Sequence, residues 1–449
     1  MPSWYSMKHQ DAYCILGGGP SGLVAARNFM AAGIPVEILE QQDDFGGNWY
    51  FGSPHSSVFP TTHLISSKRM SQFEGFPMPK AYSPYPSHEQ VLAYLRDFAR
   101  HYRLYEVAQF GKAVQQLEPA EGSWKVTLTS GEVRLYRGVV IANGHHSTPL
   151  WPKWEGTFAG TTLHAKQYKS PSQWEGKRVL VVGGGNSGCD IAVDASRMAK
   201  STAISWRRGY HILPKFIWGG PLDAGGELYD RWKVPMGMRR WLTSWMLSVV
   251  QGDLTRYGLP APEHPLFAAH PIVNSQLLYQ LGHGKIAVYP DIQRVDGHTV
   301  YFSNGKSADF DAIVCATGYQ VSFPFLDLAL LRSKEQSQDD WSLYLNAFSP
   351  RWKNLFVAGL IQPNGAIWPL ADLQSQLMAA YAKAQSEDPA AAALFAERLR
   401  TPWEGASGGL EYDKSPRHRF EVEFFDYRRQ LRTLLGQFPA HCRPQISVT

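Results

Sequence analysis

AYCILGGGPSGLVAARNFMAAGIPVEILE, residues 12–40, decides the fold. Its apolar opening, AYCIL (12–16), reads as a strand buried on both faces. The run breaks into Gly17-Gly18-Gly19-Pro20-Ser21-Gly22, and a helical stretch follows from about Pro20 to Ala32. Gly33 ends that helix, and IPVEILE (34–40) reads as a second strand, completing a β-α-β unit. The glycines match GxGxxG directly after a strand and at a helix start. Glycine there permits the tight turn and lets the backbone approach a pyrophosphate, while the helix N-terminus supplies unpaired N–H groups and a positive dipole end. Glu40 closes the second strand, where a carboxylate accepts hydrogen bonds from ribose hydroxyls, and Gln41 follows it. Gly17, Gly19, Pro20, Ser21, Gly22, Glu40 and Gln41 are thus a first candidate dinucleotide site.

The unit recurs one domain's length later. RVLVV (178–182) is a strand, residues 187–199 read as helical, and TAISW (202–206) is another strand. Between them lies Gly183-Gly184-Gly185-Asn186-Ser187-Gly188. At the offset of Glu40 stands Trp206, with Arg207 and Arg208 directly behind it. No acid holds the ribose position, and two guanidinium groups suit a 2′-phosphate instead. The first site, with its acid, suits the adenosine of FAD. The second, through Gly183, Gly185, Asn186, Ser187, Gly188, Arg207 and Arg208, suits NADPH.

These units predict an α/β fold with two Rossmann-type dinucleotide-binding domains, the NADP domain inserted into the FAD domain. KSPSQWEGK (169–177) reads as a linker and a second boundary falls near Gly282–Lys285. Residues 1–168 are then the first part of the FAD domain and 169–283 the NADP domain. Residues 284–449 are the rest of the FAD domain with C-terminal helices. NLFVAGL (354–360) reads as a further strand, followed by a helix from about Ala371 to Ala384. WLTSWMLSVV (241–250), beside Trp232, Arg239 and Arg240, fits a buried or lid-forming amphipathic helix better than a membrane-surface one, because its apolar run is short.

Composition narrows the class further. With 44% hydrophobic and 18% charged residues, 449 residues form a folded protein of two or three domains. A net charge of +5 is too small to argue for nucleic acid. The start, MPSWYSMKHQDAY, lacks the apolar core of a signal peptide, and no run approaches the ~20 apolar residues of a membrane helix. A cytoplasmic protein without membrane partners is expected. Cys14, Cys189, Cys315 and Cys442 are too far apart for a CxxC pair or a zinc pattern and read as buried or free thiols. His9, His145 and His146 show no ligand spacing, so no metal is expected.

Further motifs carry a family resemblance. Phe158-Ala-Gly160-Thr-Thr-Leu-His164-Ala-Lys-Gln-Tyr168 reads FxGxxxHxxxY and lies just before the second glycine fingerprint. It resembles the identifying motif of flavin-containing monooxygenases; Baeyer–Villiger monooxygenases carry a similar motif with Trp last. Asp311-Ala-Ile-Val-Cys-Ala-Thr317-Gly-Tyr319 is similar to the ATGY segment of the same superfamily. Gly46-Gly47-Asn48-Trp49 resembles its flavin-contacting GGxW. NLFVAGLIQPNGAIWPLADLQSQL (354–377) resembles its C-terminal flavin-binding segment, which implies Gln374 near the isoalloxazine. The resemblance adds Gly47, Asn48, Trp49, Thr317 and Gln374 to the cofactor-binding candidates. It departs at one place. Where the family has NSSKE near the flavin, this chain has Ile65-Ser66-Ser67-Lys68-Arg69, so Ile65 takes the asparagine's position and Ser66 is the neighbouring candidate donor.

The resemblance implies an NADPH- and O2-dependent monooxygenase. It forms a C4a-(hydro)peroxyflavin and oxygenates a soft nucleophile, an amine nitrogen or sulfide sulfur, on a small-molecule substrate. His164 has two readings, a linker-tying structural histidine or a proton donor, and the first is preferred. Three rivals stand: a Baeyer–Villiger enzyme acting on ketones, a largely uncoupled NADPH oxidase, and a non-catalytic flavin-binding protein. A disulfide reductase needs a redox cysteine pair, which the sequence lacks. Oligomeric state stays open, a homodimer included.

Overall fold

The computed structural model describes residues 9–331, 343–412 and 419–446. Five parallel strands make the first sheet, in the order Leu355–Val357, Gly138–Ile141, Tyr13–Leu16, Val36–Leu39, Ala108–Gln109. Side-chain alternation divides its two faces. Tyr13, Ile15 and Val140 join the core under the helices Pro20–Ala31, His88–His101 and Trp368–Glu387. Cys14, Leu16, Val139 and Ile141 face the opposite core, with Trp124, Val126, Leu128 and Tyr136 from an antiparallel sheet of Val114–Ala120, Ser123–Leu128 and Val133–Tyr136. Burial on both faces explains why the central strands are apolar throughout.

The second sheet repeats the plan: Thr161–His164, Ala312–Cys315, Arg178–Val182, Ser201–Ser205, Ile286–Tyr289, all parallel. Val179, Val181 and Val314 pack toward the helix Asn186–Ala195, while Leu180, Ile313 and Cys315 pack on Val295, Val300 and Phe302 of another antiparallel layer. This sheet corrects the boundaries read from the sequence. Thr161–His164 lies before residue 169 and Ile286–Tyr289 and Ala312–Cys315 lie after 283, yet all three complete the second sheet. A five-stranded parallel sheet needs partners on both sides of its β-α-β unit, and the chain supplies them from either flank.

Between Ser205 and Ile286 the chain adds the helices Ala224–Arg231 and Met236–Gln251. Of the two forms expected for the longer one, buried or lid-forming, full burial does not hold. Only Thr243 and Leu247 are buried, Leu247 against Leu213 and Leu266, while Trp241 and Trp245 remain 65% and 56% exposed. Trp218 and Trp232 are also exposed. Among the described residues no helix is long and apolar enough to cross a membrane. All four cysteines are buried and free.

Candidate functional site

The two glycine turns are built alike. Gly17 and Gly183 have φ of 109° and 113°, a region that favours glycine. A Cβ on Gly17 would stand 2.7 Å from the Ala142 carbonyl oxygen, and one on Gly183 2.5 Å from that of Ala316. A Cβ on Gly22 or Gly188 would strike the Gly17 or Gly183 oxygen at 1.9 Å, so helix and strand pack at backbone distance. Gly19 and Gly185 cap the helices without any side-chain hydrogen bond, and Pro20 opens the first. Both N-termini therefore keep backbone N–H groups that no capping side chain takes, the arrangement a pyrophosphate fits. Ser21 faces Gly359, where a Cβ would stand 2.2 Å from its Oγ; Ser187 is exposed.

At the ribose corner the halves differ. Glu40 is almost fully buried; its Oε2 accepts the Gly18 N–H at 2.5 Å and its Oε1 accepts the Gln42 N–H at 2.9 Å. Burial raises its pKa, opposed by these donors. Gln41 beside it is exposed. In the second half the buried Trp206 ring covers Gly184, whose added Cβ would lie 2.6 Å from it, and the indole N–H has no hydrogen-bond partner. Arg207 and Arg208 are exposed directly after it.

The other motif residues brace these turns. Gly46 N–H donates to the Gly18 carbonyl at 3.0 Å, and Gly47 closes on Gly19, so GGNW lies over the first turn. Asn48 Oδ1 accepts from Ser57 N–H and Oγ–H at 2.8 and 2.9 Å, and Trp49 meets Trp368 edge to face at 6.0 Å. Thr317 Oγ donates to the Leu150 carbonyl at 2.5 Å. Asn186 turns from the helix start to accept the Val273 N–H at 2.7 Å. Gln374 is held from within the protein. It is fully buried, its Oε1 accepting the Gly359 N–H at 2.9 Å and its Nε2 donating to Tyr427 Oη at 2.7 Å. Its amide is spent inside the protein and reaches the nucleotide turn only through Gly359, which lies on Ser21.

The linker motif is tied into its surroundings at each of its residues. A Cβ on Gly160 would lie 2.5 Å from the Asp311 oxygen, and Phe158 packs edge-on to His298. His164 is wholly buried; Nδ1 accepts the Lys166 N–H at 3.2 Å, so Nε2–H donates to the Gly318 carbonyl at 3.1 Å. That is a neutral imidazole with both nitrogens used, and burial lowers its pKa. Tyr168 is also wholly buried and donates to Asp194 Oδ2 at 2.6 Å. FxGxxxHxxxY thus sews the linker to the ATGY segment and to the helix after the second glycine turn. His9 pairs with Glu37 at 3.2 Å, and His145 and His146 stack on each other edge to face.

Ile65 is half-buried, and Ser66 Oγ is engaged with Ser71 Oγ at 2.8 Å. Sequence reading missed what lies across from them. Lys215, Asp223 and Glu227, all from the inserted stretch, contact Leu64, Ser67 and Arg69. No motif marks those three residues; only the folded chain brings them there.

Two nucleotide folds, one with a carboxylate at its ribose corner and one with an indole followed by arginines, define a flavoprotein reduced by a pyridine nucleotide. The family model described as flavin-binding monooxygenase-like matches residues 10–441, and the chain belongs to that family. It is 30% identical to flavin-containing monooxygenase 5 of Rattus norvegicus over 95% of this chain and 83% of the relative. It is 29% identical to dimethylaniline monooxygenase [N-oxide-forming] 2 of Oryctolagus cuniculus, over 95% and 82%. Among solved structures it resembles S-allyl-L-cysteine S-oxygenase of Allium sativum (TM-score 0.66, 20% identity, 95% of this chain and 88% of that one). It also resembles cyclohexanone monooxygenase (0.64, 18%, 83% and 87%), which shows a shared fold. The protein is an FAD- and NADPH-dependent monooxygenase.

Proposed function

We propose that the protein transfers one oxygen atom of O2 to the nitrogen or sulfur of a small apolar amine or sulfide, with NADPH as reductant. The observation that carries this reading is its similarity, over 95% of the chain, to a relative named for N-oxide formation. In this reading the Gly17–Gly22 turn with Glu40 holds FAD. The Gly183–Gly188 turn with Arg207 holds NADPH, the guanidinium meeting the 2′-phosphate. Held there, FAD would supply the redox and oxygen-activating chemistry, with NADPH as the source of hydride. The chain's own share is to orient the two nucleotides and exclude water. Neither task needs a side-chain nucleophile, and His164 and Tyr168 are both spent on structure. The test is NADPH consumption by the purified yellow protein against sulfides, tertiary amines and cyclic ketones, with mass spectrometry of products. Sulfoxides or N-oxides are expected. Efficient lactone formation with no sulfoxide would reverse the assignment to a ketone oxygenase.

A further inference from the structure

The end of the helix Trp368–Glu387 and the short turn Ala440–Cys442, far apart in the chain, bring three metal-ligating side chains together. The Glu387 carboxylate, the His441 imidazole and the Cys442 thiol each offer an atom within 4.8 Å of the other two. Among the described residues no other group of histidine, cysteine and acidic side chains converges in this way. No spacing in the sequence marks the group, because its acid comes from one element and its histidine and cysteine from another.

Both supports are fixed by contacts that leave the three side chains out. Asp388 ends the long helix and caps the next, accepting the Ala391 N–H at 3.0 Å. In the turn, the Cys442 N–H donates to the Pro439 carbonyl at 3.0 Å, and the Arg443 guanidinium donates to the Phe438 and Gly436 carbonyls at 2.7 Å each. The Phe438 ring lies 5.4 Å from that of Phe395, and the Gln445 N–H reaches the Ala31 carbonyl at 3.2 Å. A frame ordered in advance lowers the cost of binding.

The side chains themselves are available. Glu387 and His441 are exposed, while Cys442 is fully buried with its sulfur against them. Among the described residues no hydrogen-bond partner meets that sulfur. Glu387 has only a 3.8 Å pairing with Lys383, beyond hydrogen-bond reach. Burial raises the thiol's pKa, and the Glu387 and Asp388 carboxylates raise it further; the same negative field attracts a cation. A thiolate, an imidazole and a carboxylate suit Zn2+, whereas Mg2+ and Ca2+ call for shells of oxygen. Ligands ~2.0–2.3 Å from a tetrahedral ion stand about 3.5 Å apart, so side-chain rotations of about 1 Å close the set.

We propose that Glu387, His441 and Cys442 form a zinc site, with water as fourth ligand, that clips the C-terminal turn to the end of the long helix. The site lies about 20 Å along that helix from Gln374. It is separate from the nucleotide turns and independent of the monooxygenase reading.

The test uses the full-length, untagged flavoprotein, stripped by a chelator, with Zn2+ and Co2+ as probes. Competition against a chromogenic chelator is expected to give one Zn2+ per chain, undisturbed by excess Mg2+ or Ca2+. The Co2+ difference spectrum is expected to show the near-ultraviolet charge-transfer band of a cobalt–thiolate bond. Cys442→Ser should abolish that band. Cys442→Ser, His441→Ala and Glu387→Gln should each weaken Zn2+ at least about tenfold, at unchanged FAD content and unchanged NADPH oxidation. Zn2+ should also slow amide exchange in residues 439–446 of the wild type and not of His441→Ala. If Cys442→Ser fails to fold, the two surface variants and the wild-type cobalt spectrum still decide. No stoichiometric uptake, a cobalt spectrum without the thiolate band, affinity indifferent to His441→Ala and Glu387→Gln, or amide exchange unmoved by Zn2+ would each overturn the proposal.

Discussion

The Glu40 carboxylate reaches back across the first nucleotide turn to accept the Gly18 N–H at 2.5 Å, and at the same offset in the second fold the Trp206 ring lies over Gly184. One corner is thus closed by an acid and the other by an indole, on otherwise matching backbones. Hydrogen bonds to a charged group are worth about 1.5–3 kcal/mol each. Glu40→Ala is expected to weaken FAD about tenfold to a hundredfold, while Glu40→Gln, which keeps an acceptor, loses less. Equilibrium dialysis of flavin-free protein checks this; equal affinity in all three proteins would mean that the turn holds its shape without Glu40.

Cofactor choice follows from the other corner. Arg207 is exposed directly after Trp206, where an acid would favour NADH. NADPH should be preferred over NADH by about tenfold or more in kcat/KM, the effect of one charged hydrogen bond. Arg207→Ala should remove most of that preference by raising KM for NADPH alone. Equal use of the two nucleotides by the wild-type enzyme contradicts the assignment.

Tyr168 separates this chain's linker motif from the Trp-ending one, but it is wholly buried and bonded to Asp194. Asp194 is nearly fully buried, and its other oxygen meets the Arg197 guanidinium only at 3.7 Å, beyond hydrogen-bond distance. Tyr168→Phe should therefore cost about 1–3 kcal/mol of stability. It should leave the ratio of sulfoxide to N-oxide to ketone products unchanged. Denaturant unfolding and product analysis on one preparation test both halves; a shifted product ratio would return Tyr168 to the list of substrate determinants.

Burial raises the Asp190 carboxyl from 3.8 to about 6. A folded-state pKa above the unfolded one means that the native state binds more protons between those values, so stability falls as pH rises through that window. Asp190→Asn keeps an acceptor for Asn274 and cannot ionise. Its Tm should match the wild type near pH 4 and exceed it above pH 6. Parallel Tm–pH curves for the two proteins would contradict this.

The sequence made the two β-α-β units legible because their glycines carry geometric demands that no other residue meets: Gly17 and Gly183 need positive φ, and Gly22 and Gly188 need a missing Cβ. Long-range pairing was not legible. Nothing local in Thr161–His164, which reads TTLH, or in Ala312–Cys315, which reads AIVC, says which sheet each strand joins. The hydrogen bonds of Gln374 were not legible for a related reason: the motif gives its place on a helix, not the Gly359 and Tyr427 groups that its amide meets. Whether the helix Met236–Gln251 is buried was not legible, because periodicity marks an apolar stripe without telling whether anything covers it.

The measurement that bears most directly on the central claim is the fate of labelled dioxygen. NADPH, 18O2 and a simple aryl methyl sulfide are incubated with the purified enzyme, and sulfoxide, NADPH oxidised and H2O2 are quantified together. One 18O atom is expected in each sulfoxide, with one NADPH consumed per sulfoxide plus H2O2 formed. Unlabelled product, or NADPH oxidation that ends wholly as H2O2 across sulfides and amines alike, would contradict it.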